Sequence, residues 1–192
     1  MSENHNDPPD KDLVLSALKD REAFASIVAR YDERLRRYIT RLGLLDAEAV
    51  KDVLQEAFIK TYIHLNDYDP SLPLSAWLYR IARNETMSHF RKQRNRPHSV
   101  EHLDDAELFE RIADDLDVES EVNASINHAA LRAALDTLDL KYREVLVLRF
   151  FEEKSYDEIS DILEIPEGTV GVYLNRGKRQ LKEALKRYDI HN

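Results

Sequence analysis

Apolar residues in this 192-residue chain recur at steps of three and four positions, and this spacing constrains the fold more than any other feature. The spacing is plain from Asp20 onward, where it is carried first by Phe24, Ile27, Val28, Tyr31, Leu35, Tyr38, Ile39 and Leu42. Steps of three and four place side chains on one face of an α-helix, whereas strands alternate with a period of two. No segment shows strand-like alternation, so the sequence predicts an all-α fold.

The helical pattern fades once, at residues 97–127, where large apolar residues are sparse and carboxylates are abundant. Such a composition is typical of a solvated connector rather than of a packed element. We therefore predict two small helical domains, residues 10–96 and 128–188, joined by a flexible acidic linker at residues 97–127. Residues 1–10 are predicted to be a disordered lead.

The net charge of −9 at first argues against a nucleic-acid partner, but the charge is unevenly distributed. Residues 101–128 hold ten acidic residues and one basic residue. Residues 76–100 hold six basic residues and one acidic, and residues 171–192 hold six basic and two acidic. One acidic segment thus lies between two basic stretches, one in each predicted domain, and each basic stretch favours an anionic partner.

Several function classes are excluded by what the sequence does not contain. There is no cysteine, and hence no disulfide, thiolate nucleophile or cysteine zinc site. No phosphate-binding loop, dinucleotide fingerprint, nucleophile elbow or HExxH motif occurs, so we predict a protein that is not an enzyme and that needs no cofactor or metal. The apolar runs are short and the N-terminus is polar, so we expect no membrane segment and a cytoplasmic location.

The segment 155–188 is predicted to form a helix-turn-helix. Ser155 and Glu158 have the spacing of a capping box, and Pro166 suits the start of the final helix. On that final helix, Val172, Arg176 and Arg179 fall opposite the apolar face, where they could meet the major groove of a duplex. An ordinary helical hairpin with a solvated basic face fits the same pattern, and the pattern alone leaves both interpretations open.

A second helix is predicted to start at Asp46, which is a good N-cap residue. The apolar residues on one face of this helix are Val50, Val53, Leu54, Ala57, Phe58, Tyr62 and Leu65.

The third predicted helix, about residues 76–95, carries a second basic face. Its arginines and one amide fall within roughly a 100° arc of the helix; these residues are Arg80, Arg83, Asn84, Arg91 and Arg94. Such a ridge suits a phosphate backbone and one base edge. Trp77 and Tyr79 could stack on an unpaired base, although core packing is the simpler interpretation of Trp77.

Five segments, in this order, resemble bacterial sigma factors of the extracytoplasmic-function (ECF) class of the sigma-70 family. They read FASIVARYDERLRRYI, DVLQEAFIKTY, YDPSLPLSAWLYRIARN, REVLVLRFFEEKSYDEISDIL and IPEGTV, and the resemblance covers about residues 20–96 and 128–187. It implies a factor that binds core RNA polymerase, directs it to specific promoters and assists promoter opening. It also implies three partners, which are core RNA polymerase, promoter DNA and an anti-sigma factor.

The resemblance assigns roles to particular residues. Core polymerase would be bound by the second helix, at Asp52, Gln55, Glu56 and Phe58. The minus-ten promoter element would be captured by Tyr68, Trp77, Arg80, Arg83, Asn84 and Arg91, with Asn84 placed to bond a flipped base. The minus-thirty-five element would be read by Thr169, Val172, Asn175, Arg176 and Arg179.

The linker is long enough for this arrangement. The two promoter elements of the family lie about 25 base pairs apart, which is about 85 Å at 3.4 Å per pair. A connector of about 30 residues reaches up to about 100 Å when extended. The resemblance further implies that the acidic connector threads the RNA channel of the polymerase.

Two positions depart from the family pattern. The recognition helix usually carries a polar or arginine-rich run where this chain has Gly171, Val172 and Tyr173, which predicts a weaker or altered upstream readout. The family often has an acidic residue where this chain has Ser88, and the sequence offers no account of that change.

Two other functions remain open. The first is a sigma mimic, which would titrate an anti-sigma factor without reading DNA. The acidity of the chain and the altered run at 171–173 favour it, whereas the polymerase-binding residues of the second helix and Asn84 favour an active factor. A dimeric helix-turn-helix repressor would explain residues 155–188 but would leave the N-terminal segments without a purpose.

Overall fold

The computed structural model of the protein describes residues 8–92 and 128–189. The predicted linker 97–127 lies outside these residues, as do Arg94 and most of the predicted N-terminal lead. All regular secondary structure within the two described ranges is helical. Contacts divide the described residues into two compact units, one of residues 8–40 with 44–92 and the other of residues 41–43 with 128–189.

Four α-helices build the first unit. They are α1 (Asp10–Lys19), α2 (Phe24–Arg41), α3 (Ala47–Ile63) and α4 (Leu74–Lys92), with short 3₁₀ turns at Arg21–Ala23 and Leu65–Asp67. The apolar stripe that predicted α2 is buried, including Ile27, Leu35 and Ile39. Burying each such side chain contributes about 1.5–3 kcal/mol, so the stripe fixes which face of α2 points inward.

The start of α3 is stabilised by a capping side chain. The Asp46 carboxylate accepts a 2.8 Å hydrogen bond from the Ala49 amide, which satisfies a donor at the start of the helix as predicted. The helix then packs along α4, and Ala57 of α3 and Ala82 of α4 are both buried. This pairing sets the orientation of the outer face of each helix.

Helix α1 was not predicted from the sequence. It buries Leu13, Val14 and Ala17 and is held by Asp10, which accepts a 2.9 Å hydrogen bond from the Arg30 guanidinium and another from the Tyr31 hydroxyl. Burial raises the pKa of Tyr31, and the hydrogen bond to Asp10 raises it further, so the phenol stays protonated. Asp10 therefore ties α1 to the middle of α2.

The second unit contains α5 (His128–Asp136), α6 (Leu140–Leu146), α7 (Tyr156–Leu163) and α8 (Glu167–Asp189). The chain leaves α6 through one wide π-helical turn, Val147–Phe151. Helix α8 packs against the other three helices of the unit. The core holds its apolar residues, among them Val145, Ile159, Ile162, Val170, Leu174 and Leu181.

The predicted helix-turn-helix is confirmed as α7, a tight turn and α8. The Ser155 hydroxyl accepts from the Glu158 amide at 3.2 Å, and the Glu158 carboxylate accepts from the Ser155 amide at 2.9 Å, which completes the capping box. Glu164 ends α7 in the left-handed region, with φ of 56°. Pro166 precedes the first residue of α8 rather than occupying it, and its carbonyl accepts from the Thr169 amide at 2.8 Å.

Gly177 sets how closely α8 lies against α6. A Cβ atom at this position would stand 3.1 Å from Leu146 Cδ1 and 3.2 Å from Leu146 Cγ, and both distances are tighter than ordinary van der Waals contact. The absence of a side chain at residue 177 is therefore what allows α8 to lie this close to α6, with its polar face turned away from the core.

Candidate nucleic-acid interface

The outer face of α3 carries three of the four residues predicted to bind polymerase. Asp52, Gln55 and Glu56 are exposed and lie within about one turn of each other. Phe58 lies on a different side of the helix and is buried among the core residues. The structure therefore brings together two carboxylates and one amide at the surface, and it places Phe58 beneath them.

Sequence reasoning missed two apolar residues on that same face. Ile59 is 42% exposed and Ile63 is 62% exposed, and both continue the line of Asp52 and Glu56 along α3. The signal was available, because neither isoleucine falls on the stripe that predicted the buried face of the helix. We call the set Asp52, Gln55, Glu56, Ile59 and Ile63 the outer face of α3.

The loop that precedes α4 is ordered by its own polar groups. The Tyr68 hydroxyl donates to the Leu72 carbonyl, and the Ser71 amide donates to Asp69 at 2.9 Å, so that the pKa of the Asp69 carboxyl is lowered. Burial raises the pKa of Tyr68, and the nearby Asp10 and Asp69 charges raise it further. The loop is thus held in a defined shape, with Tyr68 as a neutral donor.

Trp77 and Tyr68 pack together at the start of α4. Their ring centroids are 5.3 Å apart with an interplanar angle of 40°, and both residues are half-buried. The indole therefore packs beside another aromatic ring and remains partly open to solvent. Tyr79 is different, because it is buried and its ring lies 4.9 Å from that of Tyr38, so the interpretation of Tyr79 as a base-stacking residue is wrong.

The basic face of α4 is present in the structure. Asn84 and Arg91 are exposed, and Arg80 and Arg83 are half-buried. Within residues 8–92 and 128–189, Arg80 and Asn84 make no hydrogen bond or ion pair, so their donors face solvent. We call the set Arg80, Arg83, Asn84 and Arg91 the α4 ridge.

Ser88 acquires a local role at this ridge. Its hydroxyl accepts a 2.9 Å hydrogen bond from the Arg91 guanidinium. An acidic residue at this position would place a negative charge one helical turn from Asn84. The serine therefore holds Arg91 in place without reducing the positive charge of the ridge.

The α8 helix places most of its predicted contact residues in one exposed stripe. Val172, Asn175, Arg176 and Arg179 are exposed, and Thr169 is half-buried beside them. The steps from 172 to 176 and to 179 are four and three residues, which keeps them on one face. We call the stripe Gly168, Val172, Asn175, Arg176 and Arg179 the recognition stripe.

The unusual run Gly171–Val172–Tyr173 has a packing explanation. A Cβ at Gly171 would stand 3.7 Å from Cε2 of Tyr156, an ordinary van der Waals distance, so α8 packs against the tyrosine ring of α7 at this residue. Tyr173 is half-buried, and its ring meets Tyr142 edge-on at 5.7 Å. Two of the three altered residues therefore serve packing, and only Val172 projects outward.

The capping box also fixes a charge at the start of α7. Burial raises the pKa of Glu158, but the hydrogen bonds from Lys154 and Ser155 outweigh burial and leave that pKa below its ordinary value. Lys154 Nζ lies 2.9 Å from Glu158 Oε1. This ion pair joins the turn before α7 to its first helical turn.

The described part of the chain contains no group of three or more His, Asp or Glu side chains placed to hold a metal ion. In those same residues, no helix combines the length and the apolar character needed to cross a membrane.

Comparison with known proteins gives the same division of the chain. Residues 27–96 match the family model described as "Sigma-70 region 2", and residues 128–181 match the one described as "Sigma-70, region 4". The ECF RNA polymerase sigma factor SigW of Bacillus subtilis is 33% identical over 87% of this chain and 91% of its own length. The chain belongs to the ECF class of the sigma-70 family.

Other sigma factors support this assignment. The RNA polymerase sigma-H factor of Pseudomonas aeruginosa is 33% identical over 87% of this chain and 88% of its own length. The structure of CnrH in complex with the cytosolic domain of CnrY superimposes with a TM-score of 0.67 at 25% identity, and it covers 93% of this chain and 97% of that one. The fold is also that of the Bartonella quintana sigma factor RpoE in complex with the anti-sigma factor NepR, with a TM-score of 0.67 at 22% identity over 85% of this chain and 96% of that one.

The all-α fold with two helical domains and the interpretation of the chain as an ECF sigma factor are therefore confirmed. Sigma factors are transcription initiation factors, and both curated relatives named above are sigma factors.

Proposed function

We propose that this sigma factor binds core RNA polymerase, carries it to specific promoters and helps to separate the strands at the start site. The observation that carries the proposal is the pair of exposed basic surfaces, the α4 ridge in one unit and the recognition stripe in the other. A net charge of −9 opposes the approach of nucleic acid, so arginines gathered on two faces favour a local attraction for an anionic partner. The polymerase performs the chemistry, and the sigma factor contributes binding energy and selectivity.

The polymerase contact is assigned to the outer face of α3. Asp52 and Glu56 offer carboxylates to basic groups of the partner, and Ile59 and Ile63 add exposed apolar area beside them. Apolar residues surrounded by polar ones are typical of protein–protein interfaces. Phe58, buried beneath this face, supports the shape of α3 rather than touching the polymerase.

Strand separation is assigned to the α4 ridge and the loop before it. Flipping a base out of the stack costs a few kcal/mol, and contacts to the flipped base must offset that cost. Asn84 has both an amide donor and an acceptor in solvent, and Arg80 and Arg91 flank it on the phosphate side. Trp77 and Tyr68 form a supported aromatic surface on which an unpaired base could stack.

Upstream recognition is assigned to α7 and α8. The N-terminal turns of a helix-turn-helix recognition helix reach base edges, while flanking positive charges hold the phosphates. Arg176 can donate to a guanine edge, and Arg179, one turn further along, is placed for the backbone. The duplex form of this element requires no strand opening.

Regulation by an anti-sigma factor follows from the relatives. CnrH has been solved in complex with the cytosolic domain of CnrY, and the Bartonella quintana sigma factor RpoE in complex with the anti-sigma factor NepR. By analogy, we include an anti-sigma factor among the partners of this chain. We also propose a cytoplasmic location, because polymerase and DNA are found there.

The test is reconstitution of transcription from purified components. Core RNA polymerase with the full chain should produce run-off transcripts from a subset of a promoter library, whereas core polymerase alone should not. Binding of the chain to core polymerase is measured in parallel. A chain that binds an anti-sigma factor but neither forms holoenzyme nor directs transcription would be a sigma mimic, and the proposal would fail.

A further inference from the structure

The first two turns of α8 have an unusual surface for a helix that enters a major groove. A Cβ at Gly168 would meet nothing within 4 Å, so this position presents bare backbone to solvent. Val172 is 46% exposed, and its neighbours Gly171 and Tyr173 are both engaged in packing. The side chain that these turns expose on the recognition stripe is therefore the apolar one of Val172.

Val172 lies on the recognition stripe and not beside it. It stands one turn before Asn175 and Arg176 on the same face of α8. Any duplex that contacts Arg176 along this face must also pass over Val172, because the N-terminal part of a recognition helix is the part that lies deepest in the groove. The positive charges further along the helix supply the attraction that brings the duplex there.

The apolar surface continues from α8 onto α7. Tyr156 is 41% exposed, and its ring approaches α8 at Gly171, the residue directly before Val172. The guanidinium of Arg149 lies 5.7 Å from the centre of the same ring. An aromatic ring of α7 therefore packs against α8 at the residue that precedes Val172.

Valine can neither donate nor accept a hydrogen bond, so it can distinguish bases only by apolar contact. In the major groove, the one apolar group on a base edge is the C5-methyl group of thymine. We propose that Val172 reads a thymine methyl group in the upstream promoter duplex. The inference rests on the proposed function, because it requires α8 to bind upstream DNA.

The experiment removes that methyl group and nothing else. Holoenzyme made from core polymerase and the full chain first selects a promoter from a library, and each thymine of the upstream element is then replaced singly by deoxyuridine. At one position, this replacement should weaken the binding of holoenzyme to the promoter about fourfold. Burying one methyl group contributes ~0.8 kcal/mol, and 1.4 kcal/mol corresponds to about a factor of ten in affinity.

The Val172→Ala holoenzyme should be indifferent to that replacement, since it lacks the contacting methyl groups. Val172 is exposed, and alanine has the higher helix propensity, so the variant should fold. Leu140→Ala is the matched control, because it removes another exposed aliphatic side chain of the same unit, and its holoenzyme should keep the fourfold effect.

Three results would overturn the inference. They are a selected upstream element without thymine, wild-type binding that ignores every replacement, and an equal loss in the Val172→Ala holoenzyme. These results are distinct from failure of the proposed function, in which the holoenzyme would select and transcribe no promoter at all.

Discussion

Lys60 Nζ lies 2.6 Å from Glu85 Oε1, and this ion pair joins α3 to α4. Glu85 is the single carboxylate between residues 76 and 100, and its side chain is only 14% exposed. The pair therefore turns the one negative charge of the α4 segment toward α3 and away from the α4 ridge. It also connects the helix proposed to bind polymerase with the helix proposed to bind the minus-ten element.

Replacing Lys60 by Gln should lower the free energy of unfolding of the first unit by about 0.5 kcal/mol. The effect is small because the Lys60 side chain is 48% exposed and solvent screens the pair. Urea unfolding followed by the fluorescence of Trp77, the single tryptophan, reports on this unit. Lys51→Gln is the control, because Lys51 and Glu48 are both exposed and 3.9 Å apart, and it should have no measurable effect.

Replacing Asn84 by Ala should reduce the yield of open promoter complex about tenfold, since a lost base contact is worth about 1–3 kcal/mol. Binding of the variant to core polymerase should be unchanged, because Asn84 lies on α4 and not on the outer face of α3. Permanganate reactivity of unpaired thymines measures opening. Asn84→Asp keeps the shape but replaces the amide donor, and recovery of full opening by this variant would argue against the amide contact.

Arg176→Ala and Arg179→Ala should fail in different ways. We expect Arg176→Ala to lose about 1–3 kcal/mol at the selected upstream element and to relax preference at one base pair. Arg179→Ala should weaken all sequences alike and reduce the salt slope of binding by about one. Titration of both variants at several salt concentrations separates the two, and identical behaviour would contradict these assignments.

Acid should weaken the start of α7 through Glu158. The pKa of this carboxyl is lower in the folded protein than in the unfolded chain, so its contribution is complete above the ordinary glutamate value and is lost as pH falls through the lowered value. Glu158→Gln keeps a capping-box side chain but removes the charge. The variant should lose less stability in that acid range than the wild type does, as measured by hydrogen exchange of α7 amides.

Alanine should have unequal effects at two glycines of α8. At Gly168, where a Cβ meets nothing, Gly168→Ala should stabilise the second unit by about 0.5–1 kcal/mol through helix propensity. At Gly177 a Cβ would crowd Leu146, so Gly177→Ala should be less stable than Gly168→Ala by about 1 kcal/mol or more. Thermal unfolding of both variants measures the difference, and equal gains would mean that Leu146 moves aside freely.

The helices that the sequence predicted are those with a single apolar stripe or a strong cap. Helix α2 has such a stripe, and Asp46 and Ser155 cap α3 and α7 as their sequence context indicated. Helix α1 escaped prediction because its apolar residues are spread around it, with Leu15 and Leu18 exposed and Leu13 buried. A short helix of that kind is stabilised by residues that are distant in the sequence, and the local sequence pattern does not show these contacts.

The residues of the candidate site could be predicted where the position of a residue around its helix decides whether the side chain is exposed. Asn84 and Arg176 lie outside the apolar stripes of α4 and α8, and both are exposed as the periodicity indicated. Phe58 and Tyr79 were harder, because an aromatic residue near the edge of a stripe can point inward or outward, and both are buried. The run at 171–173 could not be explained locally, since its partners Tyr142 and Tyr156 belong to other helices.

The separation of buried and outward-facing positions on α8 has a consequence for how such proteins diversify. Val170, Leu174 and Gly177 are buried and pack in the core of the unit. Residues 168, 172, 175, 176 and 179 are exposed and are constrained only by solvent and by a bound partner. Under the proposed role of the recognition stripe, substitutions at the second set would redirect the factor to other promoters while the scaffold stays intact. Duplicated copies of such a protein would then acquire separate target genes through a few changes along one side of a single helix.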